Sequence, residues 1–255
     1  MRKGYFGDDG AQIHYRQWPG LRDIGDWPII MLPPAPHTGL FFETAAAHMH
    51  ECHTVYSIDY PGYGGSDTLI HPPTIEAYAE AFLPFITSLK GVRLVGFHTG
   101  NLVAIELAAR HPTFIQNMIL VDVPYFDTET RDKYAASLRP DGVPQDIKSA
   151  FDKSVKGDSE TERARSYALW VESQRSFANR NDAFKAAFKY DAKCRIKDVK
   201  CSTVICGTDS ALYDLSKAAA GDIQGSEFED WRNYKSPAFE MDNGRIGIDI
   251  IDNIS

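Results

Sequence analysis

The chain has 255 residues, 43% of them hydrophobic, and a formal net charge of −8 at pH 7. That hydrophobic share supports a sizeable core, and Lys and Arg scattered along an acidic chain exclude the basic patch of a nucleic-acid binder. No apolar run reaches the ~18–20 residues of a membrane span, which argues against a membrane partner. The first residues, Met1 to Asp9, are charged with no apolar stretch behind them, so no signal peptide is expected. Cys52, Cys194, Cys201 and Cys206 show neither CxxC spacing nor a zinc pattern. That predicts reduced thiols, no metal site and a cytoplasmic location.

In chain order, Gly10 to Trp18 alternates after a turn and predicts an edge strand. Pro28 to Leu32 is apolar throughout, as a central strand would be, and opens into the Pro-rich loop Pro33 to Gly39, where prolines forbid further pairing. A helix bearing Phe41, Phe42, Ala45 and Met49 follows, then a short strand, Val55 to Asp59, and the Gly-rich loop Tyr60 to Asp67. Ile75 to Leu89 has helical apolar spacing with Pro84 inside it, which predicts a kink or local break.

Next comes Arg93-Leu94-Val95-Gly96-Phe97-His98-Thr99-Gly100-Asn101, an apolar run that passes straight into a helical pattern. A strand turning into a helix within so few residues needs small residues at the corner, and Gly96 and Gly100 supply them. The residue between them, His98, is then pushed into a strained, exposed position above the free N–H groups of the helix N-terminus. Met118 to Asp122 is a further buried strand. Strands alternating with helices in this order predict an α/β fold with a mainly parallel, doubly wound sheet and right-handed crossovers. The rhythm breaks at residues 125–192, which are helical in pattern, with Trp170, Phe177, Phe184 and Phe188 as apolar anchors. It resumes with a strand at Cys201 to Gly207 and a helix at Tyr213 to Ala220. The tail holds one last strand and a short helix over Arg245 to Ile254.

The Gly-x-His-x-Gly corner, the Pro33–Gly39 loop and the Tyr60–Asp67 segment together resemble the α/β-hydrolase superfamily. His98 stands where the nucleophilic serine of the elbow would be. More narrowly, the Pro-rich loop and the His-Thr-Gly elbow resemble an atypical bacterial subgroup with His in place of that serine. The resemblance implies a core of residues 1–124 and 193–255 with a helical cap, 125–192, roofing the site. It also implies a substrate surface that includes His37, Thr38, Phe97, Thr99 and Trp170. For the larger apolar anchors of the cap, packing onto the body is the expected role.

Members of this superfamily use a nucleophile, an acid and a late histidine, in that order. The acid can follow either of two strands, giving Asp122 or Asp209. Asp209 is preferred because the loop after its strand faces the elbow in relatives, although it lies one residue closer to Gly207 than the usual spacing. The late histidine is absent: all eight histidines lie in the first 111 residues, and Asp242-Asn243-Gly244-Arg245 offers arginine, which stays protonated and cannot act as a base. His98 itself can accept a proton near neutral pH, and the helix terminus beneath it favours the neutral form. The expected oxyanion donors are the backbone N–H of Thr99 and one from the His37 or Thr38 region. His48, His50, His53 and His111 are expected at the surface. The expectation is a cofactor-independent hydrolase, monomeric or homodimeric, acting on a small ester, lactone or other carbonyl substrate, with His98 as base or nucleophile. A pseudo-hydrolase that binds a small molecule, and a lyase using the same pocket, are the alternatives.

Overall fold

Eight strands run through the described residues: β1 (Arg2–Phe6), β2 (Ile13–Trp18), β3 (Ile29–Leu32), β4 (Val55–Ile58), β5 (Val92–Phe97), β6 (Ile115–Val121), β7 (Ser202–Asp209) and β8 (Glu227–Lys235). They form one sheet in the order β1-β2-β4-β3-β5-β6-β7-β8. β1 and β2 pair antiparallel, as do β2 and β4, and every later pair is parallel. The computed structural model describes residues 1–22, 27–69, 72–138, 141, 146–235, 239 and 245–254.

The helices are α1 (Glu43–Met49), α2 (Ile75–Ser88), α3 (Thr99–Arg110), α4 (Thr128–Ser137), α5 (Ile147–Ser154), α6 (Glu160–Gln174), α7 (Asp182–Lys189), α8 (Ala192–Arg195), α9 (Tyr213–Asp222) and α10 (Arg245–Ile254). Successive strand residues point to opposite faces, and the core divides accordingly. Ile30, Leu32 and Leu94 pack with Phe82, Val103 and Leu107 of α2 and α3. Ile29, Met31, Val95 and Phe97 pack with Phe41, Phe42, Met49 and Ile250 on the other side. A strand buried on both faces has no polar positions to alternate, which is why β3 and β4 read as unbroken apolar runs.

Several expectations change. Gly10 to Trp18 contains β2, which is not the edge, because β1 pairs along its outer side. β1 lies within the charged Met1–Asp9 stretch, where no strand is expected, because its side chains cover little core and its pairing with β2 is a contact between segments. Pro84 does not break α2, which runs unbroken over 14 residues with that proline inside. Thr87 Oγ1 donates to the Pro84 carbonyl, and Ser88 Oγ donates to that of Phe85, so the last turn is braced from its own side chains. His53 is buried at the turn before β4 and is not a surface residue. Phe177 is 46% exposed and anchors nothing. His71 and residues 242–244 lie outside the described residues.

Between β6 and β7 the described chain is helical, from α4 to α8. α7 and α8 pack into the core through Ala183, Ala186 and Ala192, whereas α6 is tied to the body by polar contacts. Its Arg165 donates to the carbonyls of Leu40 and Phe41 and pairs with Glu43. Two turns on, Glu172 accepts from Arg16 at 2.7 Å. Arg16 reaches in turn to Asp59, which is fully buried and also accepts from His14 and the backbone N–H of Gly39. These polar contacts hold α6 across the segment that follows β3. They also hold the Asp59 carboxyl below its ordinary range against the cost of burying it.

Candidate active site

β5 ends at Phe97 and α3 begins at Thr99, so a single residue, His98, makes the corner. Its backbone is held at φ 48° and ψ −114°, a positive φ that costs a side chain with a Cβ about 1–3 kcal/mol. Close approach on both sides enforces the corner. A Cβ on Gly100 would lie 1.9 Å from the Leu32 carbonyl oxygen, and one on Gly96 would lie 2.6 Å from Asn101 Oδ1. The His98 N–H donates to Val121 O, and its carbonyl accepts from Asn101 N, which closes the first turn of α3. The position is therefore fixed by backbone packing, whichever side chain extends beyond its Cβ.

The His98 ring lies on Phe97, with centroids 4.1 Å apart and planes 17° from parallel. Its Nε2 is buried, has no hydrogen-bond partner among the described residues, and lies 3.9 Å from Asp122 Oδ2. Removal from water holds the imidazole well below its ordinary 6.5, at about 4, and the Asp122 carboxylate pulls it the other way. Asp122 is fully buried and also sits at positive φ, 53°. Its carboxylate accepts from the Thr208 backbone N–H at 2.9 Å and from the Thr208 hydroxyl. Asn101 Nδ2 donates to the carbonyls of Val121 and Asp122, so α3 and the end of β6 are locked together under the histidine.

The aspartate brought to His98 is thus Asp122. Asp209 ends β7 with an exposed side chain, and its charge bears on Arg232. Both residues stand at the end of a parallel strand in adjacent positions of the sheet. What separates them is the turn at Asp122, which bends its side chain inward onto Thr208, and no local sequence signal marks that turn.

A cavity of about 180 Å³ opens over the ring. His98, Thr99, Ala35, Pro124 and Leu212 form its floor and sides, and Phe126, Tyr134, Phe184, Ala187 and Phe188 form an apolar wall from the helical segment. Thr99 lines the cavity, whereas Phe97 is buried beneath His98 and does not line it. His37, Thr38 and Trp170 do not line the cavity. The His37 ring packs on Phe41, and burial together with the charges of Arg180, Arg165 and His98 lowers its pKa to about 4. Its N–H donates to Pro34 O, so it is not available as an oxyanion donor. Thr38 is turned to structure, accepting from Leu40 N and donating to Glu172. Trp170 packs edge-on against Phe151, 5.3 Å away, because α5 and α6 need a partner for each other. Sequence reasoning overlooked Ala35, Phe126, Tyr134 and Leu212. It named Phe184 and Phe188 as packing residues, though their i, i+4 spacing with Ala187 between was the available signal for one helix face turned to a pocket. Among the described residues no three His, Cys, Asp or Glu side chains gather as metal ligands.

A sequence profile described as the alpha/beta hydrolase family matches residues 29–240. The pimeloyl-[acyl-carrier protein] methyl ester esterase of Aromatoleum aromaticum is 30% identical over 136 residues, which cover 53% of this chain and 52% of the esterase. The protein of the same name from Vibrio vulnificus is 30% identical over 45% of this chain and 41% of its own. The matched stretch spans about half the length of these curated relatives or less. Among solved structures, an esterase from Exiguobacterium antarcticum superimposes with a TM-score of 0.76 at 18% identity, covering 96% of each chain. The enol-lactonase from Burkholderia xenovorans does so with a TM-score of 0.70 at 17% identity, covering 98% of each. The profile match takes in the sheet from β3 onward, the elbow and the helical segment, so the chain belongs to the alpha/beta hydrolase family.

Proposed function

We propose that this protein hydrolyses a small ester or lactone with His98 as its catalytic base or nucleophile, in a triad reduced to His98 and Asp122. The observation that carries the reading is an imidazole at the strained elbow, with a buried carboxylate behind it and a cavity in front, where burial favours its neutral form. The esterase and enol-lactonase relatives support the choice of an acyl substrate. Asp122 favours the tautomer with the proton on Nε2, which leaves the Nδ1 lone pair for the cavity. The 3.9 Å separation is a resting distance, and such contacts shorten when substrate binds.

In the base-catalysed route Nδ1 takes a proton from water as the water oxygen bonds to the carbonyl carbon. The carbonyl electron pair moves to oxygen, where the Thr99 N–H and the Ala35 N–H, both at the cavity, would donate to it. Collapse of that intermediate breaks the bond to the alkoxide, which recovers the proton from His98. In the nucleophilic route Nδ1 attacks the carbonyl carbon and expels the alkoxide, which takes a proton from water, and the hydroxide so formed cleaves the acyl-imidazolium to the acid and free His98. Residues 125–192 act as the cap of this site, with Phe126, Tyr134, Phe184 and Phe188 excluding water. His98 in place of the elbow serine sets the chain in an atypical subgroup of its family.

A panel of short-chain methyl esters and lactones tests the reading. The wild-type protein turns over at least one, and His98→Ala loses about 10²–10⁴-fold while remaining folded. His98→Ser restores a hydroxyl at the elbow but supplies no base, so it stays as inactive as His98→Ala. If no member of the panel is hydrolysed, or His98→Ala is as active as wild type, the reading is wrong. One observation favours a second reading, a pocket that binds without catalysis: Nε2 makes no hydrogen bond to Asp122 or to any other described residue. In that case the ligand binds and no ester is consumed.

A further inference from the structure

His98 Nε2 is buried without a hydrogen-bond partner among the described residues, although a fully buried carboxylate stands 3.9 Å away. An imidazole N–H and a carboxylate withdrawn from water gain by closing to a charge-assisted hydrogen bond. Something therefore holds them apart.

The restraint begins in the backbone. β6 and β7 run parallel, and the Asp122 N–H donates to the Cys206 carbonyl as in an ordinary ladder. The paired register stops at Val121 and Cys206, where Asp122 turns away at φ 53° and its carbonyl accepts from Asn101 Nδ2. Two residues further along β7, Thr208 meets the Asp122 side chain. Its N–H donates to Oδ1 at 2.9 Å and its hydroxyl donates to Oδ2. Thr208 is itself fully buried, and Oδ2 is the oxygen that faces His98. A carboxylate oxygen can accept more than one bond, so lone pairs are not in short supply. What the two bonds fix is the place and plane of the carboxyl, which cannot swing toward the ring without giving one of them up.

We propose that Thr208 is a positioning residue: its paired bonds hold the Asp122 carboxylate off His98 Nε2 and leave the elbow imidazole without a partner. The consequence for catalysis rests on the ester or lactone reading, and the positioning does not. Burial holds the ring at about 4 and the carboxylate opposes it, so a carboxylate that moves closer raises that value. The other titratable groups around the ring are His37 on the loop after β3, with Arg165 and Arg180 near it, and Tyr134 of α4. Cys206 lies behind Asp122, its thiol pushed up by burial and by the charges of Glu229, Asp122 and Asp249. A change at Thr208 leaves all of these in place.

Nitrogen NMR of the His98 imidazole against pH, with no substrate present, tests the proposal. Thr208→Val removes the hydroxyl at nearly constant volume and keeps the backbone N–H. The freed carboxyl closes on Nε2, and the His98 midpoint rises by about one unit or more. Thr208→Ser keeps a hydroxyl donor and titrates with the wild type. A purely structural role for Thr208 would lower the melting temperature of Thr208→Val and leave the midpoint where it is. If Thr208→Val does not fold, Thr208→Ala carries the same test with a smaller side chain. If neither folds, the wild-type proton spectrum decides: a hydroxyl held on a buried carboxylate exchanges slowly and gives a resolved resonance, and its absence overturns the proposal. An unmoved or lowered midpoint in Thr208→Val, or an equal rise in Thr208→Ser, overturns it too. A raised midpoint in a protein that turns over no ester keeps the positioning role and loses the hydrolytic reading. An unmoved midpoint in a protein that does hydrolyse an ester loses only the positioning role.

Discussion

At the scale of single residues, the elbow makes a demand on backbone conformation that can be separated from chemistry. Position 98 is held at φ 48°, where any Cβ is strained. In most folded segments glycine is less stable than alanine by about 0.5–1 kcal/mol. Here the sign reverses: His98→Gly is more stable than His98→Ala by about 1 kcal/mol, as denaturant titration of the two inactive variants will show. The histidines also set an acid limit. His37 and His98 are held at about 4 in the fold against 6.5 in the unfolded chain. Between those values the unfolded state binds more protons, so stability falls as pH drops from about 6.5 toward 4, and neither group contributes a slope above that window. The depressed Asp59 carboxyl acts lower still, losing its contribution only as pH falls through its folded value below 3.8. Melting temperatures from pH 7 to 4 therefore decline in the wild type, and less steeply in His98→Ala. A flat profile over this range would mean that these imidazoles are not buried as described.

At the scale of elements, α6 shows what a few polar contacts do for a helix that buries little. Arg165, Leu169 and Glu172 share one face, and Glu172 completes the coordination of a guanidinium that is 4% exposed. Glu172→Ala leaves one end of Arg16 without an acceptor and costs about 2 kcal/mol. Lys148→Ala, which breaks an ion pair on the exposed face of α5, costs less than about 0.5 kcal/mol. Comparable losses for the two variants would show that α6 is not held this way. Contacts of this kind explain the limits of sequence reading. The elbow was legible because Gly96, His98 and Gly100 lie within five residues and each answers to local sterics. Alternating strands and helices were legible because periodicity is local too. Asp122 against Asp209 was not, since the two have similar neighbours and differ only in how a turn meets Thr208 across the sheet. Trp170 and Phe188 look alike as apolar helix residues, and only the packing of α5 on α6 decides which of them meets the cavity.

At the scale of the whole molecule, the parallel sheet brings the ends of β3, β5, β6 and β7 to one edge, where Ala35, His98, Asp122 and Thr208 converge. Ligand sites of open α/β sheets lie at these carboxyl ends, so the location follows from topology. The chemistry depends on the side chain that the elbow holds. The family's fold is retained around a histidine at that position, and the central claim is that this histidine does the work. The direct test is to follow the His98 imidazole by nitrogen NMR, assigned by its loss in His98→Ala, alongside kcat/KM for the best ester over the same pH range. The account predicts one shared midpoint, displaced from 6.5 toward about 4, with activity rising as the ring loses its proton. A kinetic midpoint that departs from the His98 titration, or activity that rises as the ring becomes charged, would contradict it.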